Sequence, residues 1–350
     1  MSKKHAPLRI LALAAATMAA LPAVAQAAPP VPSTPSDNVV IQAPQDQTKG
    51  QGKEVNNYLE AMLNSEDVEK APPGANDWNC KPTKAHPRPV LLVHGYASVP
   101  YTPWTKISAT LKSNGFCVFA PTYGKEKNKS LAGMVPGFNG MDDAWTAAME
   151  IRDYVDAVLA KTGAKQVDLV SWSQGGLVVQ TYLHFYGGAN PQNPAKNKVR
   201  NFVSLAGAHH GTDLSGIGNV IVAMHKMGLN EMIDPVVAKL GGLATIGLLP
   251  DSEIVRMNTQ AGDTVPGVHY TIISTEKDMV VTPIESTWLK QGPGATVNNV
   301  RLQDGCSKNK SDHHAIVYDP RAIDYMLRGL GVNIANPRCE ATLPFLATGF

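Results

Sequence analysis

The chain has 350 residues, of which 43% are hydrophobic and 17% charged, and a formal charge of +2. That length allows one large domain or two ordinary ones, and the composition excludes a disordered or collagen-like chain. Three of the 31 basic residues, Lys3, Lys4 and Arg9, precede residue 28, so the remainder falls one short of the 29 acids. A body so close to neutral has no bulk attraction for nucleic acid or anionic membranes. Beyond the first segment no run of about 18 apolar residues occurs, which excludes a multispanning membrane protein.

Residues 1–27 read as a signal peptide. A basic start precedes an apolar stretch over 10–25, and Ala25-Gln26-Ala27 fits the small-x-small cleavage rule. The rival reading, an uncleaved anchor, is disfavoured by the shortness of the apolar run. A secreted protein in an oxidising compartment is therefore expected. Residues 28–54, rich in Pro, Ser and Gln, read as an extended linker. The catalytic domain is expected to fill 55–350, opening with a helix over 54–63.

From residue 87 onwards short apolar runs alternate with helical spacing. Strands are expected over 89–93, 116–120, 166–170, 199–205, 268–273 and 297–302. Helices are expected over 104–114, 142–161, 175–185 and 320–328. Acids open the helix at 142 and Gly163 follows its end, as the helix dipole and the C-cap prefer. Alternation of this kind implies an α/β fold, a mostly parallel sheet with helices on both faces. Residues 211–250, rich in Gly, Met, Leu and Ile, break the rhythm and read as a helical insertion packed over the sheet. Its Met224, Met227 and Met232 are candidates to wall an acyl-binding groove.

The strongest chemical feature is Ser171-Trp-Ser173-Gln-Gly175-Gly176. It falls between an expected strand and an expected helix, where a nucleophile elbow lifts a serine hydroxyl above a sheet. Such a serine needs a base and an orienter, in the order Ser, Asp or Glu, His. Asp278 lies in the loop beyond the strand ending at 273, with Glu276 as a rival two residues earlier. The adjacent His313 and His314 lie between the last strand and the last helix, so one of them is the candidate base. The oxyanion donors would be the backbone N–H groups of Gln174, next to the serine, and Tyr96, in the loop opened by His94-Gly95. His209 and His210 follow another strand and are candidates to line the site.

Cys80, Cys117, Cys306 and Cys339 allow three pairings, of which 80–117 and 306–339 are the economical choice. No CxxC or HxxxH spacing supports a metal, and no GxGxxG, Walker sequence or HExxH supports a nucleotide or zinc cofactor. No cofactor and no metal are therefore expected.

Several segments together resemble a known family. These are Trp78-Asn-Cys80 with residues 86–95, Gly115-Phe-Cys117 with residues 118–124, and Ser171 to Gly176. Ser204 to Thr212, Asp278 to Pro283, Gln303-Asp-Gly-Cys306 and Asp312 to Pro320 extend the match. The chain is similar here to the secreted bacterial lipases called class 2, over about 78–339. That resemblance implies an α/β-hydrolase fold and hydrolysis of lipid esters, triacylglycerol lipase type, with Ser173, Asp278 and His313 in the triad roles. It also implies the two local disulfides and a lipid ester substrate met at a lipid–water interface. No nucleic-acid partner and no stable membrane span are expected, and the protein is expected to be a monomer. The departures are Ser171, where the family often has glycine, and Tyr96, where a smaller residue is common. A carboxylesterase or polyester hydrolase on short-chain substrates is the alternative enzyme. An inactive lipid-binding protein of the same fold is the alternative from another class.

Overall fold

A computed structural model describes residue 50 and residues 52–65, 71–126 and 130–347. The expected signal peptide, and all of the expected linker except residues 50 and 52–54, lie outside these residues. The end of that segment is held in place: the Lys53 carbonyl accepts hydrogen bonds from Tyr101 Oη at 2.7 Å and Thr105 Oγ1 at 2.9 Å.

Six parallel strands form one sheet in the order β2-β1-β3-β4-β5-β6. They are β1 (Val90–Val93), β2 (Val118–Phe119), β3 (Val167–Trp172), β4 (Val199–Leu205), β5 (His269–Ser274) and β6 (Thr296–Arg301). The order reverses around β1: the chain crosses from β1 to β2 on one side and then from β2 past β1 to β3 on the other. Around the sheet lie α1 (Tyr58–Leu63), α2 (Tyr101–Ser113), α3 (Ala144–Thr162), α4 (Gly175–Phe185) and α9 (Pro320–Gly329). Between β4 and β5 stand α5 (Ile217–Lys226), α6 (Asn230–Gly241), α7 (Leu243–Gly247) and α8 (Glu253–Ala261). This is an α/β-hydrolase fold.

The period of two along a strand divides the core. Val90, Leu92, Val170, Trp172, Val203 and Leu205 face α2 and α9. Leu91, Val93, Val167, Leu169, Phe202 and Ile272 face α3, α4 and α8. Both faces are covered, so β1 and β3 are buried along their whole length, which is why they read as unbroken apolar runs. Asp143 caps α3 by accepting from Thr146 N at 2.9 Å, and Gly163 closes it in the left-handed region at φ 75°. Asp319 caps α9 ahead of Pro320, accepting from the backbone of Arg321 and Ala322.

The helices within the expected insertion, α5 to α7, pack chiefly on one another and on neighbouring helices and loops and not over the sheet as expected. Helices α5 and α6 pack on each other and α6 on residues 132–134, while α8 docks on α4. Backbone bonds from Leu131 N to Lys239 O at 3.0 Å and from Ala244 N to Met141 O at 3.1 Å tie this cap to loops beyond the strands' C-terminal ends. The sheet was therefore already covered by α3, α4 and α8, leaving the cap the space above the strand ends. Among the described residues no helix is long and apolar enough to cross a membrane.

Two disulfides are present, Cys80–Cys117 and Cys306–Cys339, with Cα–Cα distances of 5.7 and 5.6 Å. They suit an oxidising compartment. Loops of 37 and 33 residues give each an expected stabilisation of about 3–4 kcal/mol in the chain-entropy view. The second disulfide holds the C-terminal tail beside the loop 309–314, where Lys310 N donates to Thr342 Oγ1 at 2.8 Å and Phe345 N to Asp312 Oδ1 at 3.1 Å. Reduction is expected to lower the melting temperature and to slow any turnover that uses His313. Peptide mapping under non-reducing conditions that found free thiols or crossed pairs would contradict the pairing.

Stability should also fall in acid. His94 and His209 are fully buried, and burial pushes their pKa values down to about 4 and about 3. The unfolded chain protonates a histidine near its ordinary value of about 6.5. The stabilisation that goes with the neutral rings is thus complete above about pH 6.5 and is lost as pH falls through about 4. The urea midpoint is expected to decline steadily over that window. A midpoint that stayed level from about pH 7 to about pH 4.5 would argue against it.

Candidate active site

The chain turns sharply where β3 meets α4, and Ser173 stands at the turn with φ 58°. A serine enters that left-handed region only when its surroundings impose it. Here they do. Ser173 N donates to Leu205 O at 3.1 Å, and Gly176 N and Ala208 N both donate to Ser173 O, at 2.9 and 3.0 Å. The packing also requires small neighbours. A Cβ on Gly175 would sit 2.4 Å from Val93 O, and one on Gly95 would sit 2.8 Å from Ser173 Cβ. Ser171 occupies its position because its hydroxyl is satisfied: it donates to Ser204 Oγ at 3.1 Å, which in turn lies 3.0 Å from His209 Nε2.

The fold brings Asp278 and His313 to this serine. His313 Nε2 lies 2.9 Å from Ser173 Oγ, and His313 Nδ1 lies 2.8 Å from Asp278 Oδ2. The other carboxylate oxygen of Asp278 accepts from Val280 N at 2.7 Å and Val281 N at 2.8 Å, which fixes the rotamer. The Trp172 indole donates to the His313 carbonyl at 2.9 Å and so binds the histidine loop to the end of β3. All three side chains are buried. Glu276 is not part of this line; it is exposed and pairs with Lys277 at 3.0 Å. Nor is His314, whose ring stacks on Phe345 at 4.6 Å and meets the edge of Tyr58 at 4.7 Å. Burial, reinforced by His313, lowers the His314 pKa to about 4.

Among the described residues, no hydrogen bond engages the backbone N–H of Tyr96 or of Gln174. Tyr96 lines the cavity that contains Ser173, and Gln174 follows the serine directly in the chain. The Tyr96 phenol donates to Gly241 O at 2.7 Å, so the larger side chain at this position anchors its loop to the end of α6. Burial and then Glu126 raise its pKa.

A cavity of about 370 Å³ opens above Ser173 and His313. The cap contributes Thr212, Leu214, Thr245 and Leu248 to its wall. The methionines expected there do not reach it: Met227 and Met232 are exposed, at 74% and 61%. His209 and His210 do not line it either. His209 is buried beneath the turn and His210 pairs with Asp263 at 3.0 Å. The loop after β4 does reach the cavity, at Ala208. A second cavity of about 410 Å³, between Asp143–Trp145 and α6 to α8, contains neither Ser173 nor His313. Sequence reasoning missed Tyr58 and Phe345 at the cavity, since no local signal links the two ends of the chain. No group of three or more His, Cys, Asp or Glu among the described residues is arranged to hold a metal ion.

The sheet, the strained serine turn and the loops at the strands' C-terminal ends are arranged as in an α/β-hydrolase. The family model for class 2 lipases matches residues 87–325, and the chain belongs to that family. The chain is also similar, at low sequence identity, to several solved structures. Phospholipase PlaB from Legionella pneumophila is 15% identical over 54% of this chain and 39% of its own, with a TM-score of 0.38. The chain thus spans well under half of that enzyme's length. Lipase BlEst2 from Bacillus licheniformis is 17% identical over 72% of this chain and 95% of its own, with a TM-score of 0.47. A bromoperoxidase from Bacillus anthracis is 14% identical over 72% and 94%, with a TM-score of 0.42.

Proposed function

We propose that this protein is a secreted triacylglycerol-type lipase that cleaves carboxylic esters of lipids through Ser173, His313 and Asp278. One observation carries the reading: the unbroken line of hydrogen-bonding distances, 2.8 Å from Asp278 to His313 and 2.9 Å from His313 to Ser173. In the reaction His313 Nε2 takes the proton as Ser173 Oγ attacks the ester carbonyl. Asp278 holds the ring with its Nδ1 proton inward and stabilises the imidazolium. The Tyr96 and Gln174 N–H groups receive the oxyanion. His313 then protonates the departing alcohol. Water, deprotonated by the same ring, releases the acid and restores the serine. Every proton that leaves one step returns in the next, so the cycle consumes only ester and water.

The signal-peptide pattern of residues 1–27 and the two disulfides support secretion. The cavity supports a second reading, a carboxylesterase on short soluble esters, because about 370 Å³ is near the lower end of ligand pockets. Emulsified triolein, tributyrin and p-nitrophenyl butyrate separate the two. A lipase releases acid from triolein as well as from the short esters. Turnover confined to the short esters would establish the esterase instead, and no turnover of any of them would leave only an inactive lipid-binding protein.

A further inference from the structure

The segment shared with the family ends at 325 and begins at 87, yet two elements outside it reach the cavity. Tyr58 and Met62 come from α1, and Phe345 comes from the C-terminal tail. These parts of the chain meet directly: Tyr58 N donates to Phe345 O at 3.3 Å. The tail is fixed rather than draped. Phe345 N is held by Asp312, its ring stacks on His314, and its backbone takes a left-handed φ of 59°. A phenylalanine adopts that conformation only under the constraint of its surroundings, and such constraints gather at functional sites. Asp312 also accepts from His314 N and Ala315 N, so one carboxylate positions both the histidine loop and this wall.

The apolar surface does not stop at the cavity. On a helix, positions 58, 62, 59 and 63 form a continuous stripe. Tyr58 is 7% exposed and faces inward, Met62 is 52% exposed at the rim, and Leu59 and Leu63 are exposed beyond it. The one charged residue within α1, Glu60, is not part of this stripe and engages Lys53 and the Asn56 N–H. Among the described residues the stripe Tyr58, Met62, Leu59 and Leu63 starts beside Ser173 and runs outward with no charged side chain in it, which fits a hydrocarbon chain.

We propose that α1 and the tail around Phe345 form a chain-binding subsite, in which the hydrocarbon part of the ester leaves the cavity past Tyr58 and Phe345 and lies along Met62, Leu59 and Leu63. This rests on Ser173 being the acyl-carrying nucleophile and adds the residues that set chain preference. It also reconciles a cavity of about 370 Å³ with long substrates, because the chain is housed only in part inside it. The gain is realised through binding, so it appears chiefly in KM.

The test compares p-nitrophenyl butyrate, octanoate and dodecanoate, each below its micellar concentration, on the wild type, on Phe345→Ala and on the double variant Leu59→Ser/Leu63→Ser. The ratio of kcat/KM for dodecanoate to that for butyrate is expected to fall about tenfold in each variant, mainly through a higher KM for dodecanoate. Fluorophosphonate labelling of Ser173, which needs no long chain, reports that each variant is folded. Labelled variants with an unchanged ratio overturn the subsite. A ratio that falls only with emulsified esters overturns it too, because the stripe would then be a surface for adsorption. If Phe345→Ala fails to label, the double surface variant decides alone. A wild type that neither labels nor turns over butyrate overturns the serine reading itself, a result distinct from an unshifted ratio.

Discussion

Ser173→Ala is expected to lower kcat by about 10⁴–10⁶ while leaving the fold intact. The size follows from the part proposed for the hydroxyl. Without Oγ no acyl-enzyme forms, and His313 has no proton to remove. What survives is the stabilisation offered by the oxyanion donors and by binding, worth about 10³–10⁴ over water in comparable enzymes. The fold should persist because the turn is held by backbone bonds, from Ser173 N to Leu205 O and to Ser173 O from Gly176 and Ala208, that alanine keeps. Circular dichroism and the melting temperature check this. Mass spectrometry after fluorophosphonate treatment should place the adduct on Ser173. An adduct on Ser171 would reverse the assignment, although its hydroxyl is fully buried and bonded to Ser204.

The second large effect separates two neighbours. His313→Ala should abolish nearly all turnover, with a loss of the same order as Ser173→Ala, because residues that act as a unit are not additive. His314→Ala should alter turnover only several-fold. The structural difference between them is definite. His313 spans Asp278 and Ser173 at 2.8 and 2.9 Å, whereas His314 packs between Tyr58 and Phe345. His314 stays neutral at ordinary pH, since burial keeps its pKa near 4. Its removal loses ring contacts at the cavity wall and no proton-transfer group. Steady-state kinetics on one short ester, with the melting temperature as a control, measures both. A dead His314 variant beside an active His313 variant would exchange their roles.

Much of the fold is written locally. The runs that became β1 and β3 are apolar without interruption because both of their faces are covered, and α4 occupies the span that its pattern indicates. Where reading and structure part, the cause is position in the fold. Strand β2 keeps only Val118 and Phe119 of the expected 116–120, because it is the edge strand, paired with β1 and beyond it only through an isolated bridge from Val118 to Ala75. Strand β6, at the opposite edge, is largely exposed and so carries a weak pattern. Helix α8 is not among the expected helices, although Ser252 caps its start and Gly262 follows its end. It is nine residues long, and what makes it a helix is docking on α4, where Asn258 Nδ2 reaches Thr181 Oγ1 at 2.9 Å.

The candidate site divides in the same way. A serine between a strand and a glycine-led helix declares a turn from six adjacent residues, so Ser173 is legible in the sequence alone. The order of elements also narrows the acid to Asp278 or Glu276 and the base to His313 or His314. Within each pair the sequence resemblance favours one residue, and only the folded chain displays the geometry. Asp278 is the carboxylate seated on the Val280 and Val281 N–H groups, and His313 is the ring that meets a serine 140 positions away. The place of the cap, the failure of its methionines to reach the cavity, and the meeting of Tyr58 with Phe345 had no local trace. Turn chemistry and hydrophobic period depend on neighbours in the chain. Contacts between distant segments depend on which surfaces remain uncovered once the sheet has been packed, and that is decided by the tertiary structure.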